Sequence, residues 1–166
     1  MKLLLITLAL TAGIAAVVIS ATNNEPTVVT SDRMQTDYAS NVGTFEGNVL
    51  VTDPRITVRS DKMVVFFGGT NTTRSVQRII ATGGVVINQD KKKATADRAE
   101  YTTTDSKVVL TDNPKVEGPE GIVTGKKITL WHGQEKMDVE TDAADTNRTR
   151  LIIYPEELRK QNRESP

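Results

Sequence analysis

The stretch Gly47-Asn48-Val49-Leu50-Val51, followed by Ile56-Thr57-Val58-Arg59-Ser60-Asp61-Lys62-Met63, sets the fold because its pattern returns along the chain. It comes back as Gly83-Gly84-Val85-Val86-Ile87 with Lys93-Ala94-Thr95-Ala96-Asp97-Arg98-Ala99. A weaker copy joins Asp112-Asn113-Pro114-Lys115-Val116 to Ile122-Val123-Thr124-Gly125-Lys126-Lys127-Ile128, and a truncated one, Thr30-Ser31-Asp32-Arg33-Met34, opens the array. Similarity at a period of about thirty residues marks one strand-turn-strand unit stacked on copies of itself. A unit of that size cannot bury its own apolar face, so the copies must share a core.

Inside the units apolar and polar side chains alternate. Phe45, Val49 and Val51 share one face, with Glu46, Asn48 and Thr52 on the other, and Ile56 and Val58 alternate with Arg55, Thr57 and Arg59. That is the period-two pattern of a strand with one dry and one wet side. Short β-branched runs of this kind are expected over 44–52, 55–59, 62–67, 76–81, 85–88, 94–101, 107–110, 115–117, 122–124, 127–131 and 136–140. Between them lie Asp53-Pro54, Gly68-Gly69-Thr70-Asn71, Asn88-Gln89-Asp90-Lys91, Asn113-Pro114 and Gly118-Pro119-Glu120-Gly121, which supply a fixed φ or tolerate a positive one. The run 62–67 breaks the alternation. Val64 and Phe66 are apolar opposite Met63, Val65 and Phe67, so this strand is either covered on both sides or meets a partner or ligand.

Composition narrows the function classes. The 166 residues suit one domain, and 21 basic against 21 acidic side chains leave no net field to draw the protein to nucleic acid or to an anionic membrane. Cysteine is absent, so neither a disulfide nor a lipid-modified N-terminal cysteine is possible. Met1-Lys2, an apolar run over 3–19, Ser20-Ala21 and a polar Thr22-Asn23-Asn24-Glu25-Pro26 form the pattern of a secretory signal over 1–21, cleaved after Ala21. The competing reading is an uncleaved membrane anchor. At the other end, 141–166 reads as polar linker and tail. It includes the apolar Leu151-Ile152-Ile153-Tyr154, either a final strand or one donated to a neighbour, and a short helix from Pro155 with acids early and bases late.

The segments Phe45-Glu46-Gly47-Asn48-Val49-Leu50-Val51-Thr52, Ile56–Met63, Val109-Leu110-Thr111-Asp112-Asn113-Pro114 and Gly125-Lys126-Lys127-Ile128-Thr129-Leu130-Trp131 with Gln134-Glu135-Lys136-Met137 resemble the OstA-like domain of the LptA/OstA family of lipopolysaccharide-transport proteins. The resemblance covers 27–140. It implies an all-β fold, an open twisted jelly roll of short antiparallel strands, exported to the periplasm. It further implies binding and transport of lipopolysaccharide towards the outer membrane, with the lipid A acyl chains in an apolar groove. Copies would join end to end by strand pairing, and like-folded LptC-like and LptD-like proteins would meet them at the inner and outer membranes. One departure stands out: Gly125-Lys126-Lys127 carries lysine where the earlier copies carry aspartate. Two alternatives remain open, a membrane-tethered LptC-like adaptor of the same fold and a purely structural β-repeat.

Candidate sites follow from the alternation. Val49, Val51, Ile56, Val58, Met63, Val65, Val85, Ile87, Ile128 and Leu130 are core on the plainest reading. If the resemblance holds they are also candidate lipid contacts, each buried methylene contributing about 0.8 kcal/mol. Catalysis is not expected. The chain has one histidine, His132, which has no cysteine or second histidine to join it at a metal, and it contains neither a phosphate-binding glycine loop nor a nucleophile elbow. No catalytic residue, metal site or cofactor is therefore assigned. Asp32, Asp61 and Asp97 each precede a basic residue at equivalent places in the copies, which points to a structural role. Lys91-Lys92-Lys93 reads most simply as a solvated turn, with a phosphate or sugar acid of a lipid head group as the second reading.

Overall fold

A computed structural model of the chain describes residues 17–20, 26–70, 73–131, 134, 136–141 and 148–155. The strands are β1 (Val17–Ser20), β2 (Pro26–Thr30), β3 (Arg33–Asp37), β4 (Val42–Asp53), β5 (Ile56–Thr70), β6 (Thr73–Gln89), β7 (Lys92–Thr102), β8 (Lys107–Thr111), β9 (Lys115–Gly118), β10 (Gly121–Thr124), β11 (Lys127–Trp131), β12 (Lys136–Glu140) and β13 (Arg150–Ile153). They form one 13-stranded sheet. The expected all-β fold is what is found. The helix expected from Pro155 falls, beyond that residue, outside the described residues, as does most of the expected signal segment.

Two pairs of expected strands are each one long strand. β5 runs through Ser60-Asp61 and β6 through Thr82-Gly83-Gly84, where the expected strands were interrupted. These joints are bulges. Register slips between Glu46 and Val49, between Arg59 and Lys62, and between Thr82 and Val85. The backbone is left-handed at Gly47 (φ 76) and Asn48 (φ 47), at Gly83 (φ 80) and Gly84 (φ 52), and at Asp112 and Asn113 (both φ 60). Glycine adopts that conformation freely, and Asn and Asp tolerate it.

A bulge bends its strand. Because the bulges of neighbouring strands lie level, the bends add up to a crease that divides the sheet into two arms. The first arm runs β3, residues 42–46 of β4, 62–70 of β5, 73–82 of β6, 98–102 of β7, β8, β11 and β12. The second runs β1, β2, residues 49–53 of β4, 56–59 of β5, 85–89 of β6, 92–96 of β7, β9, β10 and β13. The core draws on both arms: Val29, Val49, Val85, Ala94 and Ala96 from the second cluster with Phe45, Met63, Val65, Ala81, Ala99, Leu110 and Ile128 from the first. A lone flat sheet leaves both faces wet, so this burial means that the arms close on each other across the crease, as the walls of a jelly roll do.

The copies of the sequence repeat are successive crossings of that crease. Buried residues stand four positions apart where a strand crosses with a left-handed pair, as Phe45 and Val49 or Ala81 and Val85 do. They stand three apart where it crosses through an aspartate, as Ser60 and Met63 or Ala96 and Ala99 do. The aspartates tie one crossing to the next. Asp32 donates its backbone N–H to Gly47 O at 2.9 Å and accepts from Asn48 Nδ2 at 2.8 Å. Asp97 N–H donates to Asp112 O at 2.8 Å, and Asn113 Nδ2 donates to the Asp97 carboxylate at 3.0 Å. Gly47 and Gly83 have no room for a side chain, since a Cβ would lie 2.3 Å from Asp32 Oδ2 and 2.4 Å from Asp61 Oδ2 respectively.

The doubly apolar run 62–67 is covered on both sides. Met63 and Val65 are buried and Phe67 packs against the core, while on the outer face the Arg78 guanidinium lies 4.3 Å from the centroid of the half-buried Phe66 ring. At the C-terminal end β13 pairs with β10 of its own chain, so the sheet continues past the boundary at 140 expected from sequence.

Candidate functional site

Strand register lines up the inward side chains of each arm into a ladder. In the second arm the matched residues are Val29, Val51, Val58, Ile87, Ala94, Val116, Val123 and Leu151. In the first arm they are Met34, Phe45, Met63, Ala81, Ala99, Leu110, Ile128 and Val139. Every rung is apolar. A further inward row, Val65, Ile79, Tyr101, Val108, Leu130 and Met137, lies nearer the rim of the first arm. Among the described residues no buried side-chain nitrogen or oxygen lacks a hydrogen-bond partner. The inward lining of the two ladders is therefore apolar from first strand to last.

Its packing does change. Val29 is 2% exposed and Phe45 1%, whereas Leu151 is 61% exposed, Ile153 53% and Met137 42%. Large apolar side chains thus stand open to water on the inward sides of β12 and β13, the last strands of both arms. These strands are edges, as are β3 and β1 at the opposite end. An edge strand has unpaired N–H and C=O groups that another strand can use. β1 falls inside the segment expected to be a signal, and it covers the edge of β2.

Of the sequence-derived candidates, Val49, Met63, Val65, Val85 and Ile128 are buried in the core, and Val51, Val58, Ile87 and Leu130 are half-buried against it. Ile56 stands apart, half-buried at the β4–β5 hairpin opposite Asp53. The structure adds Val29, Met34, Leu110, Val116, Val123, Val139 and the alanines Ala81, Ala94 and Ala99 to the two ladders. Leu110 lay in an expected strand and its alternation with Val108 was legible; the alanines carry too little apolar signal, and Val116 and Val123 sit in strands of four residues. His132 lies outside the described residues.

Charge is kept to the outer face and the hairpin tips. Lys62 bonds Glu46 at 2.8 Å, Arg98 bonds Glu100 at 3.0 Å, Lys127 bonds Glu140 at 2.6 Å, and Lys115 pairs with Glu117. The hydrogen bond from Lys62 holds the Glu46 carboxyl below its ordinary range, and that from Lys115 does the same for Glu117. Asp37 is likewise held low, by the Ser40 side chain and then by the backbone N–H groups of Ser40 and Ala39, within the β3–β4 turn.

This arrangement has relatives. The family model described as the LptA/(LptD N-terminal domain) LPS transport protein matches residues 28–137, which takes in both ladders as far as Met137. The chain belongs to that family. It is 28% identical over 166 residues to the lipopolysaccharide export system protein LptA of Escherichia coli strain K12, covering 98% of this chain and 89% of that protein. The LptA of Shigella flexneri matches to the same extent. The fold is shared with LptH, described as the LptA-homologous periplasmic component of the lipopolysaccharide transport device of Pseudomonas aeruginosa, at a TM-score of 0.68 and 20% identity, over 79% of this chain and 96% of that one.

Proposed function

We propose that this protein is a periplasmic carrier that takes lipopolysaccharide towards the outer membrane, holding the acyl chains between its two arms. The observation that carries this reading is the pair of unbroken apolar ladders, together with Leu151, Ile153 and Met137 standing exposed on the last strands of the two arms. An interior built only for stability has no need of large apolar side chains left wet at one end, because each contributes roughly 1.5–3 kcal/mol when buried. Leu110 and Ile128 are 0% exposed, so the middle is filled by the protein's own side chains. First contact with acyl chains then falls to the half-buried Val51, Val58, Ile87 and Leu130. Reaching Val49, Met63, Val65, Val85 and Ile128 requires the arms to part, whereas Ile56 is already half-buried at the hairpin rim.

The free edges support assembly on the same principle. A second copy, or a like-folded LptC-like or LptD-like partner, would add its edge strands to β12 and β13 and cover their exposed apolar side chains. Removal of the signal after Ala21 would take β1 away and free the edge of β2 at the other end. Both contacts are strand addition, in which main-chain bonds supply affinity and side chains set the register.

Photo-crosslinking tests the reading directly. A photoreactive residue at Val58 or Leu130 is expected to capture lipopolysaccharide, while one at Glu46 on the outer face is not. Equal capture at both faces, or none at either, would overturn it.

A further inference from the structure

The rim of the second arm carries charge that the ladders do not use. The β4–β5 and β6–β7 turns are neighbours, because Ile56 pairs with Gln89, and they bring Arg55, Lys91 and Lys92 to one lip, all exposed. Lys92 belongs to the inward side. It pairs with Gln89, one step beyond the Ile87–Ala94 rung. Its Cγ lies 3.6 Å from where a Cβ on Gly118 would stand, so the stem runs over the glycine while the ammonium reaches water.

Other cations near the rims are engaged. Lys107 faces Asp105 at 3.6 Å, Arg74 lies 5.4 Å from the Tyr38 ring centroid, Lys136 lies 4.4 Å from that of Trp131, and Lys93 pairs in register with Glu117. Among the described residues no ion pair or ring contact engages the side chains of Arg55, Lys91 or Lys92. The nearest acids in sequence are Asp53 and Asp90, and a third carboxylate, that of Glu120, lies on the same glycine, its Oε2 3.7 Å from the Cβ position on Gly118. Asp53 accepts from Thr27 Oγ1 at 2.9 Å and from the backbone N–H of Arg55 at 3.3 Å, and Asp90 is the left-handed turn residue, φ 51.

We propose that Arg55, Lys91 and Lys92 form a binding lip for the phosphate monoester of an amphiphile whose chains lie between the arms. The proposal rests on the carrier reading and deepens it. Two residues along a strand span about 7 Å, so a chain lying on the Ile87–Ala94 rung brings its head group to the Lys92 ammonium. Arginine offers a planar fork for phosphate oxygens and the lysines add mobile point charges.

The test uses the full chain, a bisphosphorylated lipid A and phosphate-free dodecyl maltoside, with binding of each followed directly. The double variant Lys91→Gln/Lys92→Gln is expected to bind the lipid A about tenfold more weakly at low salt. The gap should narrow as ionic strength rises, and the maltoside should bind as before. Lys62→Gln, on the outer face, should change neither. Equal loss for both amphiphiles, or no loss for either, would overturn the lip while leaving the carrier reading in place. Competition by millimolar inorganic phosphate as effective as that of the lipid would overturn the amphiphile as the ligand, in favour of a free anion. If the unaltered protein bound neither amphiphile, the carrier reading would fall and the lip with it.

Discussion

The crossing between β3 and β4 and the crossing between β5 and β6 have the same backbone but differ by one side chain. At the first, Asn48 (φ 47) donates to Asp32 at 2.8 Å. At the second, the same place is held by Gly84 (φ 52), a Cβ there would meet nothing within 4 Å, and a concavity of about 340 Å³ opens beside Asp61, Asn48 and Arg59. The third crossing restores the asparagine, with Asn113 on Asp97. The last keeps the main-chain link, from Lys126 N–H to Glu140 O at 3.0 Å, with lysine in place of aspartate. The left-handed pair therefore follows from the register, and the Asn–Asp bond is a tie added where the side chains allow it.

Substitutions can sharpen or break that comparison. The largest effect is expected for Gly83→Ala, which sets a Cβ against Asp61 at φ 80. Left-handed strain of roughly 1–2 kcal/mol plus displacement of the aspartate should cost about 2–3 kcal/mol in urea unfolding. Gly84→Ala, in open space, should cost only the strain. Equal costs at the two glycines would show that the contact with Asp61 is immaterial. Asn48→Ala comes next, at about 1–2 kcal/mol, because it loses the tie and puts alanine in a left-handed conformation. Gly84→Asn should do the reverse and stabilise by about 0.5–1 kcal/mol, through a less flexible unfolded chain and a new bond to Asp61. A loss there would mean that the concavity is not the shape of a missing asparagine.

The smallest effect concerns pH. Glu46 is held low by Lys62, so its contribution is present above the ordinary carboxylate range and fades as pH falls through its lowered folded value. The urea midpoint of Glu46→Gln should therefore drop slightly less than that of the unaltered protein between about pH 6 and about pH 3. Identical drops would assign the acid sensitivity elsewhere.

Much of the fold was legible in the sequence because each arm obeys strict alternation. Val49 with Val51 and Ile128 with Leu130 gave their facing directly. The crease was not legible as a crease: Ser60-Asp61 and Gly83-Gly84 carry turn chemistry, and nothing local distinguishes a bulge in a continuing strand from the end of one. Tertiary pairing with a neighbour bulged at the same level decides it. The repeated aspartates were rightly read as structural, since two of them bond asparagines across the crease. The lipid-facing subset of the ladders was not legible at all, because a core valine and a chain-contacting valine have the same alternation and the same composition.

The uneven step across the crease works like a reading frame. Val49 faces inward only because the strand spends one residue more than its neighbour in getting past the bend. Deleting Asn48 would leave Phe45 in place yet turn Val49 and Val51 outward, so that one half of the strand keeps its sense and the other is inverted. Length changes in this lineage should consequently accumulate at the hairpin tips and be absent where strands pass the fold line.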